Sequence, residues 1–202
     1  MTNRGFNKSL ALFSLIMVPC YAIFFGLQKS PFEYTFSMIG YWFNNRLGFI
    51  IWGTVTAFLL LIGIFNIYKQ VSFKSKRAYR LLYASILFLV LSVITPTVNS
   101  EPLRKEMREG LFYFNLHGLF AALFAIFLLT SLFLFSHYLS ITDNKKMSLK
   151  GSLGWLLIIS GGSLIILFLF GMTGVFELFF FISLSVFLIV TTTNCFKNKK
   201  DL

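Results

Sequence analysis

Six apolar runs, each long enough to cross a membrane, divide this sequence and leave few other folds open to it. A span needs about 20 residues, because an α-helix rises about 1.5 Å per residue and the hydrocarbon core is about 30 Å thick. Only 12% of the 202 residues are charged and 57% are apolar, which is too little polar surface for a water-soluble globule. The sequence therefore predicts an all-α, polytopic six-transmembrane-helix bundle in a single integral membrane domain, residues 1–202. The predicted spans are 10–27, 47–68, 81–98, 116–138, 153–172 and 175–196.

The basic residues lie almost entirely on one side of these runs. Thirteen of the 18 lysine and arginine residues fall in the two termini and in the second and fourth loops, with only two acids. The remaining segments carry five basic and five acidic residues, so the net charge of +11 falls on one side. The positive-inside rule then predicts that both termini are cytoplasmic and that the basic loops face anionic lipid headgroups. This placement favours membrane lipids as partners and argues against nucleic acid.

The first run could be a signal peptide, and the two cysteines could form a disulfide, but the sequence argues against both. No small-residue cleavage site follows the first run, so we interpret it as a retained helix rather than a signal peptide. Cys20 and Cys195 fall at different predicted depths, which predicts no disulfide because bonded cysteines need Cα atoms within about 7 Å. Two cysteines and two histidines form no known metal-ligand spacing, so neither a metal nor a cofactor is predicted.

The segment 95–117, between the third and fourth runs, is predicted to be a working surface on the outer side. Pro96 is expected to end the third helix, because proline disfavours helical geometry in the residue before it. Ser100 then begins a short outer amphipathic helix between helices three and four, with Leu103 and Met107 on its apolar stripe. Such a helix is typical of one lying in the membrane surface.

The first outer loop, residues 28–46, is poor in charge and rich in aromatic residues. One interpretation is an aromatic belt at the level of the lipid headgroups. The other follows from the alternation of apolar and polar residues over 32–38, which would present Glu33, Thr35 and Ser37 on one side.

Two further polar residues each have a structural and a functional interpretation. His117 opens the fourth helix, where it would either hydrogen-bond a neighbouring helix or act as a ligand or catalytic group. Glu177 follows in the first turn of the sixth helix, where a carboxylate compensates unpaired helix donors. An acid inside a membrane boundary is also a functional hypothesis in its own right.

These polar residues gather at one predicted boundary and form the candidate site. Arg104 and Arg108 are suited to hold a phosphate or carboxylate, and Ser37, His117 and Glu177 are the catalytic candidates. No G-x-S-x-G elbow or paired zinc histidines support a particular reaction. The predicted ligand-binding residues are Glu33, Ser37, Asn99, Glu101, Arg104, Arg108, His117 and Glu177.

Scattered residues also carry a family resemblance. They are Pro31-x-Glu33-x-Thr35-x-Ser37-x-x-Gly40, the segment Asn99-Ser100-Glu101, His117 and Gly174-x-x-Glu177. With these residues the chain resembles the bacterial six-helix membrane protein family known as domain of unknown function 998 and, more distantly, DRAM and Sfk-type membrane proteins. Met38 stands where an acid would be expected after the serine. The resemblance implies the six-helix architecture and an outward-facing cluster, but no reaction.

Together these observations predict a protein of a bacterial cytoplasmic membrane, with both termini inside and an outward-facing polar pocket. The leading hypothesis is that the pocket binds or handles a lipid headgroup or amphiphile in an accessory, sensor or lipid-handling role, without catalysis. A second hypothesis is an intramembrane hydrolase or transferase that uses Ser37 or His117. A third is a partner-docking subunit or immunity-type protein. The sequence leaves open a membrane-protein partner or a homo-oligomer.

Overall fold

The chain folds into α-helices joined by short turns. The computed structural model describes residues 4–95, 116–142 and 149–197, and those ranges contain seven helices and no strand. The predicted all-α class is therefore confirmed for this part of the chain. The helices are α1 (Arg4–Gly26), α2 (Phe36–Trp42), α3 (Arg46–Gln70), α4 (Lys76–Ile94), α5 (Leu116–Thr142), α6 (Leu149–Phe170) and α7 (Gly174–Lys197).

Five of these helices are long and apolar enough to cross a membrane: α1, α3, α4, α5 and α7. In α6 the corresponding apolar stretch is shorter, Gly154–Phe170. Large apolar side chains cover the outside of the bundle, among them Phe24, Phe58 and Phe168. Exposure of such an apolar surface is unfavourable in water but not in the lipid hydrocarbon, so the fold is compatible with a multi-pass membrane protein.

Helix α4 begins at Lys76, five residues before the predicted start of the third span. The Ser75 hydroxyl accepts a hydrogen bond from the Ala78 N–H at 3.4 Å, so this residue caps the helix. Three of the five basic residues that we expected in the second loop, Lys76, Arg77 and Arg80, therefore occupy the first two turns of α4. The helix ends at Ile94, and Thr95 is extended, as the proline at position 96 predicts.

The first outer loop contains α2, a helix that the alternation over 32–38 does not predict. Thr35 is its N-cap, and four of its seven residues are buried: Phe36, Ser37, Ile39 and Gly40. Glu33 is exposed while Ser37 is buried, so the prediction that Glu33, Thr35 and Ser37 share one side is wrong.

The six long helices pack in a closed ring. Helix α1 packs against α3, α3 against α4, α4 against α5, α5 against α6, α6 against α7, and α7 against α1. Neighbours in the ring are neighbours in sequence except where α7 meets α1. The core is aliphatic and aromatic, with fully buried side chains such as Leu15, Leu60, Tyr68, Leu128, Phe135, Leu184 and Phe187.

The two ends of the ring differ. What we call the α2 end holds α2 and the first residues of α3, α5 and α7. What we call the basic end holds the α3–α4 turn, residues 71–75, and its flanking cations. Because the helices alternate in direction, the first residues of α1 and the last residues of α7 both lie at the basic end. Both termini were predicted to be cytoplasmic, and that orientation stays a prediction.

Candidate functional site

Helix α2 begins with a local cap. The Thr35 side-chain oxygen accepts a hydrogen bond from the Met38 N–H at 3.1 Å, which satisfies one of the donors that a helix start leaves unpaired. The same oxygen lies 2.9 Å from the Ser37 hydroxyl oxygen, so these two side chains bond each other. Ser37, a predicted catalytic and ligand residue, is buried with 6% of its surface exposed.

Glu177 completes this cap from the other end of the sequence. Its Oε2 accepts a hydrogen bond from the Phe36 backbone N–H at 2.6 Å, across 141 residues. A carboxylate at this place faces the positive end of two helices at once, because it lies in the first turn of α7 and bonds the first turn of α2. Glu177 therefore fastens α2 to the bundle.

The loop before α2 caps α7 in return. The Gly174 N–H donates to the Tyr34 carbonyl at 3.0 Å, and the Val175 N–H donates to the Pro31 carbonyl at 3.0 Å. A Cβ atom on Gly174 would lie 2.6 Å from the Tyr34 carbonyl oxygen, so only glycine permits this approach. We call this reciprocal contact of residues 31–37 with 174–177 the α2–α7 junction.

Aromatic rings fill the space beneath α2. Trp52 of α3 lies at their centre, 3% exposed, with ring centroids 4.8 to 5.8 Å away. Its indole N–H has no hydrogen-bond partner among the described residues, which is unusual for a buried donor. The surrounding rings belong to Phe25, Phe36, Phe49 and Phe181.

His117 lies at the α2 end but not in the α2–α7 junction. Its Nδ1 is 2.6 Å from the Ser92 carbonyl oxygen, and because a carbonyl only accepts, Nδ1 is the donor. The predicted hydrogen bond to a neighbouring helix is therefore present. The Tyr41 hydroxyl donates to the Val93 and Thr95 carbonyls at 3.2 Å, so two side chains satisfy the last carbonyls of α4.

Two exposed cations border α2. The Lys29 ammonium lies 4.4 Å from the centroid of the Phe43 ring, and the Arg46 guanidinium lies 5.6 Å from the centroid of the Tyr41 ring. Both distances are within the range of cation–π attraction. Exposed Trp42 lies in the same stretch of chain. We call this border, residues 29 and 41–46, the cation–aromatic edge.

The predicted site residues thus separate into groups. Ser37 and Glu177 meet at the α2–α7 junction, His117 bonds the end of α4, and Glu33 is exposed. The other predicted ligand residues, Asn99, Glu101, Arg104 and Arg108, lie outside the described residues.

Sequence reasoning missed Phe36, Trp52, Lys29 and Arg46 as parts of this end. Only the two cations had a signal, as the basic residues of an otherwise aromatic loop. The backbone donor of Phe36 has no signature in a sequence at all.

The contacts that these groups make bear on the chemistry available here. The Ser37 hydroxyl bonds Thr35 and the His117 Nδ1 bonds a backbone carbonyl, so the described contacts contain no serine–histidine pair. In the described part of the chain, no three His, Cys, Asp or Glu residues are grouped to hold a metal ion. What the geometry offers instead is a fixed platform with two exposed cations.

Comparison of the chain with protein-family models, with curated proteins and with solved structures found no match. The resemblance to the six-helix family therefore stays a prediction, and the function must be argued from the contacts described above.

Proposed function

We propose that this chain is a six-span protein of a bacterial cytoplasmic membrane that binds the anionic headgroup of a lipid or similar amphiphile at an outward-facing α2 end. The observation that carries the proposal is the cation–aromatic edge. It combines two exposed cations, Lys29 and Arg46, with aromatic side chains on a helix fastened to the bundle. The role would be that of an accessory, sensor or lipid-handling component.

The sidedness rests on charge. The acids of the described residues, Glu33 and Glu177, both lie at the α2 end, whereas the α3–α4 turn and its flanks carry cations alone. A membrane protein retains its more basic end in the cytoplasm. The α2 end would therefore face away from the cytoplasm, with six spans and both termini inside.

An amphiphile suits this end because it needs both kinds of surface. Exposed apolar side chains adjoin the cations: Phe32 is 63% exposed and Leu47 is 71% exposed. Aromatic and aliphatic groups at headgroup level contact the upper part of an acyl chain, while Lys and Arg bind phosphate or carboxylate oxygens. A soluble anion would gain nothing from the apolar half.

The platform is also held in place before any ligand arrives. Glu177 bonds Phe36 at the start of α2, and Arg46 is the first residue of α3, so α2 and the Arg46 end of the edge belong to packed helices, whereas Lys29 lies in the turn that follows α1. Little side-chain ordering is then left to oppose binding. We further propose that Arg104 and Arg108, with Asn99 and Glu101, supply additional headgroup contacts, and that Glu33, Ser37 and His117 border the same site.

Native mass spectrometry of the protein released from nanodiscs tests the binding. In discs of phosphatidylglycerol and phosphatidylcholine, we expect Lys29→Gln/Arg46→Gln to weaken the retention of one bound phosphatidylglycerol about 30-fold, because each of the two cations near a lipid phosphate contributes roughly 1 kcal/mol. Arg104→Ala should lower it as well. The matched control is Lys69→Gln/Lys74→Gln, which removes two exposed cations at the basic end. Equal retention in the first double variant and the wild type would refute the proposed site.

Cysteine accessibility tests the orientation separately. In a chain carrying Cys20→Ser and Cys195→Ser, we expect Lys29→Cys to react with a membrane-impermeant maleimide in intact spheroplasts. Lys74→Cys should react only after the membrane is permeabilised. The opposite pattern would place the α2 end inside and would remove the outward-facing site.

A further inference from the structure

An exposed stripe runs along α4 from two cations to aliphatic side chains. Lys76, Arg80, Tyr83, Leu87 and Ile94 recur at spacings of four, three, four and seven, which places them on one helix face. Lys76 and Arg80 are exposed, and Tyr83, Leu87 and Ile94 are 50%, 57% and 51% exposed. This face is exposed from Lys76 to Leu87 and again at Ile94, and Val90 between them is partly buried.

The side chains along the stripe follow the order of the parts of a phospholipid that they would contact. Two cations come first, a tyrosine hydroxyl follows one turn after Arg80, and aliphatic side chains continue toward the α2 end. Cations bind phosphate, a tyrosine has a polar tip suited to the boundary between headgroup and chain, and aliphatic groups contact the acyl chain. Lys76 and Tyr83 are about 10 Å apart along the axis, and Arg80, which lies between them, is about 4.5 Å from Tyr83, within the roughly 5 to 7 Å depth of a headgroup region.

The α3–α4 turn, which directly precedes the cations of the stripe, is fixed by backbone hydrogen bonds and by a buried aromatic ring. The Val71 N–H donates to the Ile67 carbonyl at 3.2 Å, and the Phe73 N–H donates to the Tyr68 carbonyl at 2.9 Å. Phe73 is 4% exposed, and its ring contacts the ring of Tyr138 of α5 at a centroid distance of 4.9 Å. The start of α4 is therefore fixed to two other helices.

The charges of this stripe are uncompensated by described acids. Lys76 is the first residue of α4, where a positive charge opposes the helix dipole, and Arg77 adds a second one. None of the described residues at the basic end is acidic. A bound anion would relieve both the mutual repulsion of the cations and their repulsion by the dipole.

From these observations we infer a second lipid site, in which one anionic phospholipid lies along α4 with its phosphate between Lys76 and Arg80 and an acyl chain against Leu87. The site is at the opposite end of the bundle from the cation–aromatic edge. It does not depend on the function proposed for that edge.

Charge-matched double variants in nanodiscs test this site. In discs of phosphatidylglycerol and phosphatidylcholine, Lys76→Gln/Arg80→Gln should weaken the retention of one bound phosphatidylglycerol about 30-fold, because it removes both phosphate contacts. Lys69→Gln/Lys74→Gln removes two exposed cations outside the stripe and should change retention less than about twofold. Equal losses in the two double variants would show diffuse attraction rather than a site, and no loss in either would also overturn the inference.

Two further measurements separate this site from its alternatives. Leu87→Asn keeps every charge and should still weaken retention, because it places an amide where the acyl chain lies. Free sn-glycerol 3-phosphate at millimolar concentration should not displace the lipid, and if it did, the site would recognise phosphate alone. Since Lys29→Gln/Arg46→Gln leaves this end unchanged, loss in one double variant without the other shows which of the two lipid sites exists.

Discussion

At the α2 end, polar side chains bind the ends of other helices, whereas the basic end also has a hydrogen bond between two buried hydroxyls of different helices. Glu177 caps α2, and His117 and Tyr41 cap α4. At the basic end the buried Tyr68 hydroxyl bonds the Ser131 hydroxyl at 2.8 Å. The α2 end thus depends on contacts with helix termini, and the basic end depends in addition on a buried pair of side chains within two helices.

The comparison teaches where this fold is sensitive to backbone shape and where it is sensitive to hydroxyl pairing. At the α2–α7 junction a backbone approach leaves no room for one extra carbon atom. Around Tyr68 the side chains are satisfied, so the loss of a single partner is the critical event. Substitutions at the two ends should therefore differ in size and in kind.

The largest effect is expected at Gly174. Gly174→Ala places a Cβ 2.6 Å from the Tyr34 carbonyl oxygen. The Cβ is attached directly to the backbone and the carbonyl is part of it, so neither group can rotate away and the junction must open. We expect about 3 kcal/mol of destabilisation, measured by thermal unfolding in detergent. Gly161→Ala is the control, since a Cβ there meets nothing within 4 Å and alanine favours the helix. Similar melting temperatures for both variants would contradict the structure of the junction.

Glu177 should give the next largest effect. Glu177→Ala removes the acceptor of the Phe36 N–H, so we expect a loss of about 2 kcal/mol, as for other hydrogen bonds to charged groups. Glu177→Gln retains an acceptor oxygen and should cost about half as much. Tryptophan fluorescence would report the change directly, because Trp52 packs against the Phe36 ring. If glutamine proved as harmful as alanine, the charge rather than the hydrogen bond would be what α2 requires.

The Tyr68 pair should respond asymmetrically, and the larger of its two effects should not exceed that of Glu177→Ala. Ser131 donates to the Ala78 carbonyl at 2.8 Å and also bonds Tyr68, so Ser131→Ala leaves two buried polar groups short of a partner. We expect about 2 kcal/mol for Ser131→Ala and about 1 kcal/mol for Tyr68→Phe, which removes one bond only. Chemical or thermal unfolding of both variants in one detergent measures the ratio. Equal costs would mean that the bond to Ala78 contributes nothing.

The long helices were predictable and the site was only partly so. Hydrophobic length is a local property, and each of the six runs overlaps one long helix, although only five of these helices are long and apolar enough to cross a membrane. The largest differences are at the start of α1, which begins six residues early, and at the start of α4, which begins five residues early. The start of α4 was missed because Lys76 and Arg80 were interpreted as loop residues, although Lys and Arg can occupy a helix end that lies in water. The hydrogen bond that Ser75 makes as the N-cap outweighs the unfavourable interaction of these positive charges with the helix dipole.

Helix α2 escaped prediction for a different reason. Seven residues are too few for a helical period to appear, and the helix is defined by Thr35 next to it and Glu177 far from it in sequence. Glu177 itself was identified from its cost in a membrane, but its partner was a backbone N–H, which no side-chain pattern reveals. Single polar residues were thus predictable, whereas their pairings depended on the tertiary fold.

The smallest effect is expected in the layer next to the α2 end, where buried hydroxyls behave unequally. Many hydroxyls of the spans donate to a carbonyl of their own helix: Ser14, Ser85, Ser92, Thr130, Ser160, Ser183, Thr191, Thr192 and Thr193. Thr56 of α3 and Ser185 of α7 are fully buried and have no partner among the described residues. They follow one turn after Trp52 and Phe181, whose rings touch across these two helices.

Thr56→Val tests whether this layer is dry in the folded protein. Valine keeps the branched shape and removes a hydroxyl that bonds no described residue, so we expect the melting temperature to rise by the equivalent of about 1 kcal/mol. Thr191→Val is the matched control, because the Thr191 hydroxyl donates to the Phe187 carbonyl at 2.8 Å and its loss should be neutral or slightly destabilising. If Thr56→Val instead lowers the melting temperature, and Thr56→Val and Ser185→Ala are not additive, the two hydroxyls share a bound water or ligand atom. The layer that contains Thr56 and Ser185 would then resemble the α2 end, because its polar groups would bind a molecule from outside the chain.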